Sequence, residues 1–428
     1  MTSTRSLLAA FAIILIDLLG RAGLDKVLAL AAGPAVVGLW AQIQSVVDLV
    51  SGVVTTGVLS GLTVTVSQAR GPAEERALLS LGLRLALVTA GVVALAMALA
   101  SPLVSGWLTQ GRIAPRLVVL AALAGCFAAV PAALNAYWLG KQWQPRMLGL
   151  SLLLALVWAA VAASAWMGLS ISGLALAQAL ALLLIAAAAW RYLGSLQRAA
   201  PAAETSGTAI PELAARLRNY IPVGLAIGIM SPASMLLIRG LLAGALGWVD
   251  VGYLQALWRV SEWVTSASAG VLSLVFLPRL AAAWGTARFG AELARSARLL
   301  LLPAAALLAL LYFKQHAILA LLYDAQFRVS DTTAALFLLG CWVRVGSWVF
   351  LNGLFAAHRT RAIIIGEVLS LPLLALLLRL NAQGMTLERT AAIYLAVYCV
   401  YLAYNAAALM LARPGSARPG EGRDGPRA

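Results

Sequence analysis

The sequence predicts an all-helical membrane protein of about twelve transmembrane helices arranged as two six-helix halves. Three observations carry this expectation. Of 428 residues, 62% are hydrophobic and 11% charged, whereas a soluble domain carries roughly 25% charged residues. Mean hydropathy is +0.91. Apolar runs long enough to cross roughly 30 Å of hydrocarbon recur along the whole chain.

The spans fall near 6–30, 36–66, 77–100, 115–139, 147–167 and 171–192, then near 217–246, 249–277, 293–313, 332–356, 361–379 and 389–412. The first is too long and too charged for a cleaved signal peptide. The expected organisation is an N-terminal half over 1–193, a cytoplasmic linker over 194–216, a C-terminal half over 217–412 and a disordered tail over 413–428. The linker contains "RAAPAAETSGT", whose small and polar residues suit flexible chain. The tail is rich in Gly, Pro and Arg. Twelve spans put both termini on one side, and that side carries 19 Lys and Arg in its loops and ends, against 6 on the other. This positive-inside bias places both termini in the cytoplasm. The net charge of +15 therefore reflects topology and calls for no nucleic acid. Cys126, Cys341 and Cys399 each fall within a span, which reads as core packing with no disulfide and no metal site.

The halves carry a trace of repetition. Setting Gly38 of "KVLALAAGPAVVGLWAQIQSVVDLVSG" against Gly252 of "RGLLAGALGWVDVGYLQALWRVSEWVTSA" puts Asp48 opposite Glu262, and one gap sets Lys26 opposite Arg239. Repeats of six spans share one orientation, and transporters built this way hold substrate between the halves.

Charges lie deep in several spans, where each costs at least ~2.5–3.5 kcal/mol to insert. The opening stretch "LIDLLGRAGLDKVLAL" alone carries Asp17, Arg21, Asp25 and Lys26. Asp48, Arg84, Arg239, Arg259, Glu262, Arg344 and Glu367 follow. Pairing within helices accounts for some of them: Arg21 has Asp17 and Asp25 four residues to either side, and Arg259 has Glu262 three residues on. Arg84 and Glu367 lie near cytoplasmic helix ends, within reach of the interface. Arg239 and Arg344 have no acid within four residues, so each needs a partner on another helix, a wet cavity or an anionic ligand. The guanidinium fork suits phosphate. One reading is a cavity for a phosphate-bearing substrate, and the other is salt bridges between helices.

In "SGVVTTGVLSG", small residues recur every four positions, which suits close or sliding helix contact. Pro131, Pro222, Pro232, Pro303 and Pro372 are sites for kinks. No phosphate loop or HExxH motif occurs, and His316 and His358 stand apart. No enzyme and no cofactor is expected, and the chemistry-free reading is a transporter.

The segment "KVLALAAGPAVVGLWAQIQSVVDLVSGVVTTGVLSGLTVTVSQ" resembles the opening helices of Wzx-type flippases of the multidrug/oligosaccharidyl-lipid/polysaccharide (MOP) superfamily. "MLLIRGLLAGALGWVDVGYLQALWRVSEW" with "SLVFLPRL" is similar to the family's seventh and eighth helices, and "AILALLYDAQF" with "VRVGSWVF" to its ninth and tenth. Within the superfamily the likeness is nearest to lipid III flippases and O-antigen translocases. Asp17, Asp25 and the Gly/Arg tail depart from the pattern. The resemblance implies a MATE-like, V-shaped alternating-access transporter of the bacterial inner membrane. It implies movement of undecaprenyl-diphosphate-linked oligosaccharide from the cytoplasmic to the periplasmic leaflet, as part of envelope polysaccharide synthesis. It also implies a polysaccharide polymerase and a chain-length regulator as partners, besides membrane lipid. On this reading Arg21, Lys26, Arg239, Arg259 and Arg344 bind substrate, while Asp17, Asp25, Asp48 and Glu262 serve coupling or gating. The alternatives are a MATE-like drug or ion antiporter, and an enzyme or scaffold of polysaccharide assembly.

Overall fold

The computed structural model describes residues 4–69, 71–198, 209–218 and 221–412. Every element among them is helical: α1 (Thr4–Val54), a π-helical turn (Thr55–Leu59), α2 (Ser60–Ser67), α3 (Pro72–Leu99), α4 (Ser101–Leu103), a second π turn (Val104–Leu108), α5 (Pro115–Gly140), α6 (Gln144–Trp166) and α7 (Ile171–Arg198). The chain continues with α8 (Ala209–Arg218), α9 (Ile221–Leu246), α10 (Trp248–Val271), a third π turn (Leu272–Phe276), α11 (Leu277–Ala283), α12 (Phe289–Leu322), α13 (Asp331–Ala356), α14 (Thr360–Val368), α15 (Leu371–Leu380) and α16 (Leu387–Ala412).

Proline in the first turn starts several helices (Pro72, Pro115, Pro145), where its missing N–H is not needed. Ser330 caps α13 by accepting the Thr333 N–H at 3.2 Å. Pro372 breaks the span expected over 361–379 into α14 and α15, because its ring cannot continue the preceding helix.

Ten helices are long and apolar enough to cross a membrane. Two further features bring the membrane-length rods among the described residues to the expected twelve. The 53-residue stretch Leu15–Ser67 breaks at Gly33 into two rods. α10, which carries Asp250, Arg259 and Glu262, is the other, and its 24 residues are long enough to cross.

The expected linker differs in part. α7 runs on to Arg198, and α8 packs Leu213 and Leu217 into the core near α2, α3 and α9. An i, i+4 leucine pair gives this stretch an apolar stripe that flexible chain would leave in water. Residues 199–208 and the tail over 413–428 lie outside the described residues.

The repeat is visible in the backbone. Gly33, at φ 80° and ψ 179°, aligns with Gly247, at φ 92° and ψ 165°. Both hold left-handed geometry at the start of a following helix, where a Cβ would be strained. Five residues on in each copy, Gly38 and Gly252 meet. A Cβ on Gly38 would lie 3.1 Å from the Trp248 carbonyl oxygen, and one on Gly252 only 2.0 Å from that of Pro34. Residue i of one copy touches residue j of the other and the reverse, as across a twofold axis. The corresponding second helices also share a π turn, at Thr55–Leu59 and Leu272–Phe276. In the first copy this turn interrupts the four-residue stripe read from the sequence: Ser60 Oγ donates to the Thr55 carbonyl at 2.9 Å, five residues back.

α1 packs against α3, α5 and α6 on one side and against α9 and α10 on the other, so it carries the seam between the two groups of helices.

Candidate functional site

The seam opens into a cavity of about 140 Å³. α1 contributes Gln44, Ser45 and Asp48, on one face at helical spacing, and α9 contributes Arg239. Arg259 and Glu262 project from α10 and Arg344 from α13. The cavity lies between two points of backbone contact. Gly38 and Gly252 meet beyond one end, and beyond the other a Cβ on Gly228 would come within 2.7 Å of the Gly52 carbonyl oxygen. Glycine at both points lets α1 touch α9 and α10 closely on either side of the cavity.

The charges are held in three ways. Arg259 is ion-paired: its Nε donates to Asp25 Oδ2 at 3.1 Å and its Nη1 to Glu262 Oε2 at 3.0 Å. Asp25 is 5% exposed and takes a second, longer hydrogen bond from Tyr323 at 3.4 Å. This pair ties α1 to α10 across the seam. Arg239 has no carboxylate within 4 Å among the described residues. Its Nε donates to Gln255 Oε1 at 3.0 Å and its Nη1 to the Ala41 carbonyl at 3.0 Å and to Ser45 Oγ. Arg344 stands over the rings of Trp348, at 4.7 Å, and Tyr398, at 5.5 Å. Aromatic faces stabilise such a cation by up to about 2 kcal/mol when water is excluded, without neutralising it. Asp48 is open to the cavity and forms no ion pair within 4 Å among the described residues.

Of the nine residues singled out in the sequence, five line the cavity: Asp48, Arg239, Arg259, Glu262 and Arg344. Asp25 sits directly behind it on Arg259. The remaining three turn elsewhere in this conformation. Arg21 donates to Asp17 at 3.0 Å, as its spacing suggested, and both meet Trp158 of α6: Arg21 lies 4.9 Å from the ring centre, and the indole N–H donates to Asp17 at 3.3 Å. Asp25, the other acid spaced for Arg21, pairs with Arg259 instead. Lys26 donates to the Ala320 carbonyl at 3.3 Å, in the last turn of α12, where the helix dipole favours a cation. The alignment of Lys26 with Arg239 is therefore not matched by equivalent contacts. Glu367 lies in the last turn of α14, about two turns from its start at Thr360, and accepts the Tyr401 hydroxyl at 3.1 Å.

Sequence reasoning missed the neutral groups that hold Arg239, namely Ser45 and Gln255, and the aromatic cradle of Arg344. A signal for Ser45 exists, since it precedes Asp48 by three residues in "QIQSVVD" and shares its face. Gln42, 1% exposed, donates to the carbonyls of Leu108 and Leu236 at 3.3 and 2.9 Å and braces the seam beside the cavity. The three cysteines are free.

No protein-family model and no curated protein matches the sequence. Solved structures do. An inward-facing multidrug-resistance MATE transporter of the MOP superfamily aligns with a TM-score of 0.70 at 12% identity, over 95% of this chain and 96% of its own. The lipid II flippase MurJ, in an inward closed conformation, aligns at 0.68 and 12% identity, over 95% and 88%. A MOP superfamily transporter from Pyrococcus furiosus, whose binding pocket is described as reversed in polarity, aligns at 0.57 and 10% identity, over 96% and 94%. At such identities the likeness carries the fold alone. The chain is a multi-pass membrane protein with a transporter fold. That fold is the one shared by MATE transporters and MurJ within the MOP superfamily.

Proposed function

We propose that this protein is a flippase for undecaprenyl-diphosphate-linked oligosaccharide, a lipid III or O-antigen type of unit, working by alternating access in a bacterial inner membrane with both termini cytoplasmic. The observation that carries this reading is how the cavity charges are held. Three arginines line it with two acids, and Asp25 behind Arg259 brings the acids to three. Arg259 takes two of them, Asp25 and Glu262, while Arg239 and Arg344 are held by neutral groups and Asp48 is the one cavity acid outside an ion pair. A site built this way favours an anion, and guanidinium groups match phosphate oxygens two at a time.

On this reading the six-helix groups 1–193 and 217–412 rock about the seam. The diphosphate replaces Gln255, Ser45 and the Ala41 carbonyl on Arg239 and comes within reach of Arg344, while the polyprenyl chain stays in lipid. After release the neutral groups return to Arg239, and Asp48 and Glu262, related by the repeat, serve coupling or gating. Arg21 and Lys26 support the site from outside the cavity. The MATE-like antiporter reading has equal support from the fold, and Trp258, Asp48 and Glu262 in the wall are groups a cationic substrate would use. Two bases held by neutral groups, Arg239 and Arg344, argue against it.

Complementation tests the reading. Expression in strains lacking a lipid III or O-antigen flippase is expected to restore surface polysaccharide. Arg239→Ala and Arg344→Ala, at equal membrane levels, are expected not to. Rescue by both variants would remove the diphosphate role from these bases.

A further inference from the structure

A second cavity, of about 380 Å³, lies between α5, α6 and α7 and shares no lining residue with the seam cavity. Its walls are apolar: Leu134, Leu150, Leu153 and Ile185 line it, with Trp138 beside them. Arg146 and Tyr192 stand at its polar end, joined by a hydrogen bond of 3.0 Å. Arg146 also stacks 4.2 Å from the Trp143 ring centre and has no carboxylate within 4 Å among the described residues. Lys141 flanks the same ring at 5.4 Å. Tyr and Trp with Arg and Lys at a helix end mark the level of lipid head groups.

Gly149 lines the groove with nothing within 4 Å of the position a Cβ would take, so the space is open beside the helix. We infer that this groove is a binding site for one anionic glycerophospholipid, with an acyl chain along Leu134, Leu150 and Ile185 and the phosphate on Arg146. The inference is independent of the flippase reading.

Native mass spectrometry of the full chain in detergent, titrated with phosphatidylglycerol and separately with phosphatidylcholine, tests it. Both lipids offer a phosphate to Arg146 but only phosphatidylglycerol is net anionic, so wild type is expected to hold one phosphatidylglycerol about fivefold more tightly than phosphatidylcholine, the scale of one basic residue acting on an anionic head group. Arg146→Gln is expected to abolish that preference. Gly149→Leu fills the groove without an internal clash and is expected to weaken both lipids about tenfold. Gly91→Leu, at another site on α3 with open space around it, is expected to leave both unchanged. Equal binding of the two lipids by wild type would overturn the inference. So would a preference retained in Arg146→Gln, binding undiminished in Gly149→Leu, or the same loss in Gly91→Leu.

Discussion

Gly252→Ala is the sharpest perturbation of the seam. The added Cβ would lie 2.0 Å from the Pro34 carbonyl oxygen, whereas ordinary contact begins at 3.4 Å. The difference, about 1.4 Å, is the separation that α1 and α10 must gain at that end. The atom pressed upon is backbone, so no side chain can swing aside. Overpacking of this kind costs about 1–3 kcal/mol. If the Gly38–Gly252 contact exists only while that end is closed, the cost falls on the closed state alone, and the population open there rises about 5–150-fold. The positive-inside assignment makes this the outer end. The assay is the rate at which a membrane-impermeant thiol reagent, added outside, labels Met235→Cys in the cavity wall, with Cys126, Cys341 and Cys399 replaced. Gly252→Ala is expected to raise the rate at least about fivefold. Gly228→Ala, which presses on Gly52 at the opposite end, is expected to lower it. Equal rates in wild type and Gly252→Ala, with the protein folded, would refute the contact as a gate.

Three further outcomes follow from the same geometry. Asp25→Asn leaves buried Arg259 with Glu262 alone and is expected to destabilise the folded protein by about 3 kcal/mol in a thermal-unfolding assay in detergent, because a buried charge loses a partner. Asp17→Asn removes a half-exposed pair and is expected to cost less than about 1 kcal/mol by the same measurement. Arg344→Lys keeps the charge but loses the flat face that stacks on Trp348 and Tyr398. It is expected to lower transport of an anionic substrate about tenfold at unchanged membrane level, a loss read from initial transport rates.

Much of the fold was legible because membrane spans announce themselves by length and apolarity. Even α10, which carries Asp250, Arg259 and Glu262, was expected over 249–277. Gly33 and Gly247 show the limit. Their alignment was available in the sequence, but their shared left-handed backbone and the reciprocal glycine contact arise only when both copies pack. The charges divided in the same way. Arg259 and Glu262, three residues apart on one helix, could be paired from spacing. The Asp25–Arg259 pair joins positions 234 residues apart, and no local pattern carries it. Lys26 was misplaced for a related reason, since the carbonyl it caps belongs to the far end of α12. The π turn at Thr55–Leu59 was hidden because small residues at four-residue spacing read as a regular helix. The short helix α8 was missed because its neighbouring "APAAETSGT" dominated the composition.

The most direct measurement of the central claim is transport in proteoliposomes carrying undecaprenyl-diphosphate-linked oligosaccharide in one leaflet, followed by the accessibility of its sugar from the other side. A cationic dye, tested in parallel vesicles, is the comparison. The anionic cavity ligand predicts that wild type moves the lipid-linked sugar and leaves the dye, and that Arg239→Gln and Arg344→Gln each slow the movement roughly tenfold or more, the scale of a lost charged hydrogen bond. Dye movement driven by a cation gradient, with the lipid-linked sugar held in its original leaflet, would contradict it.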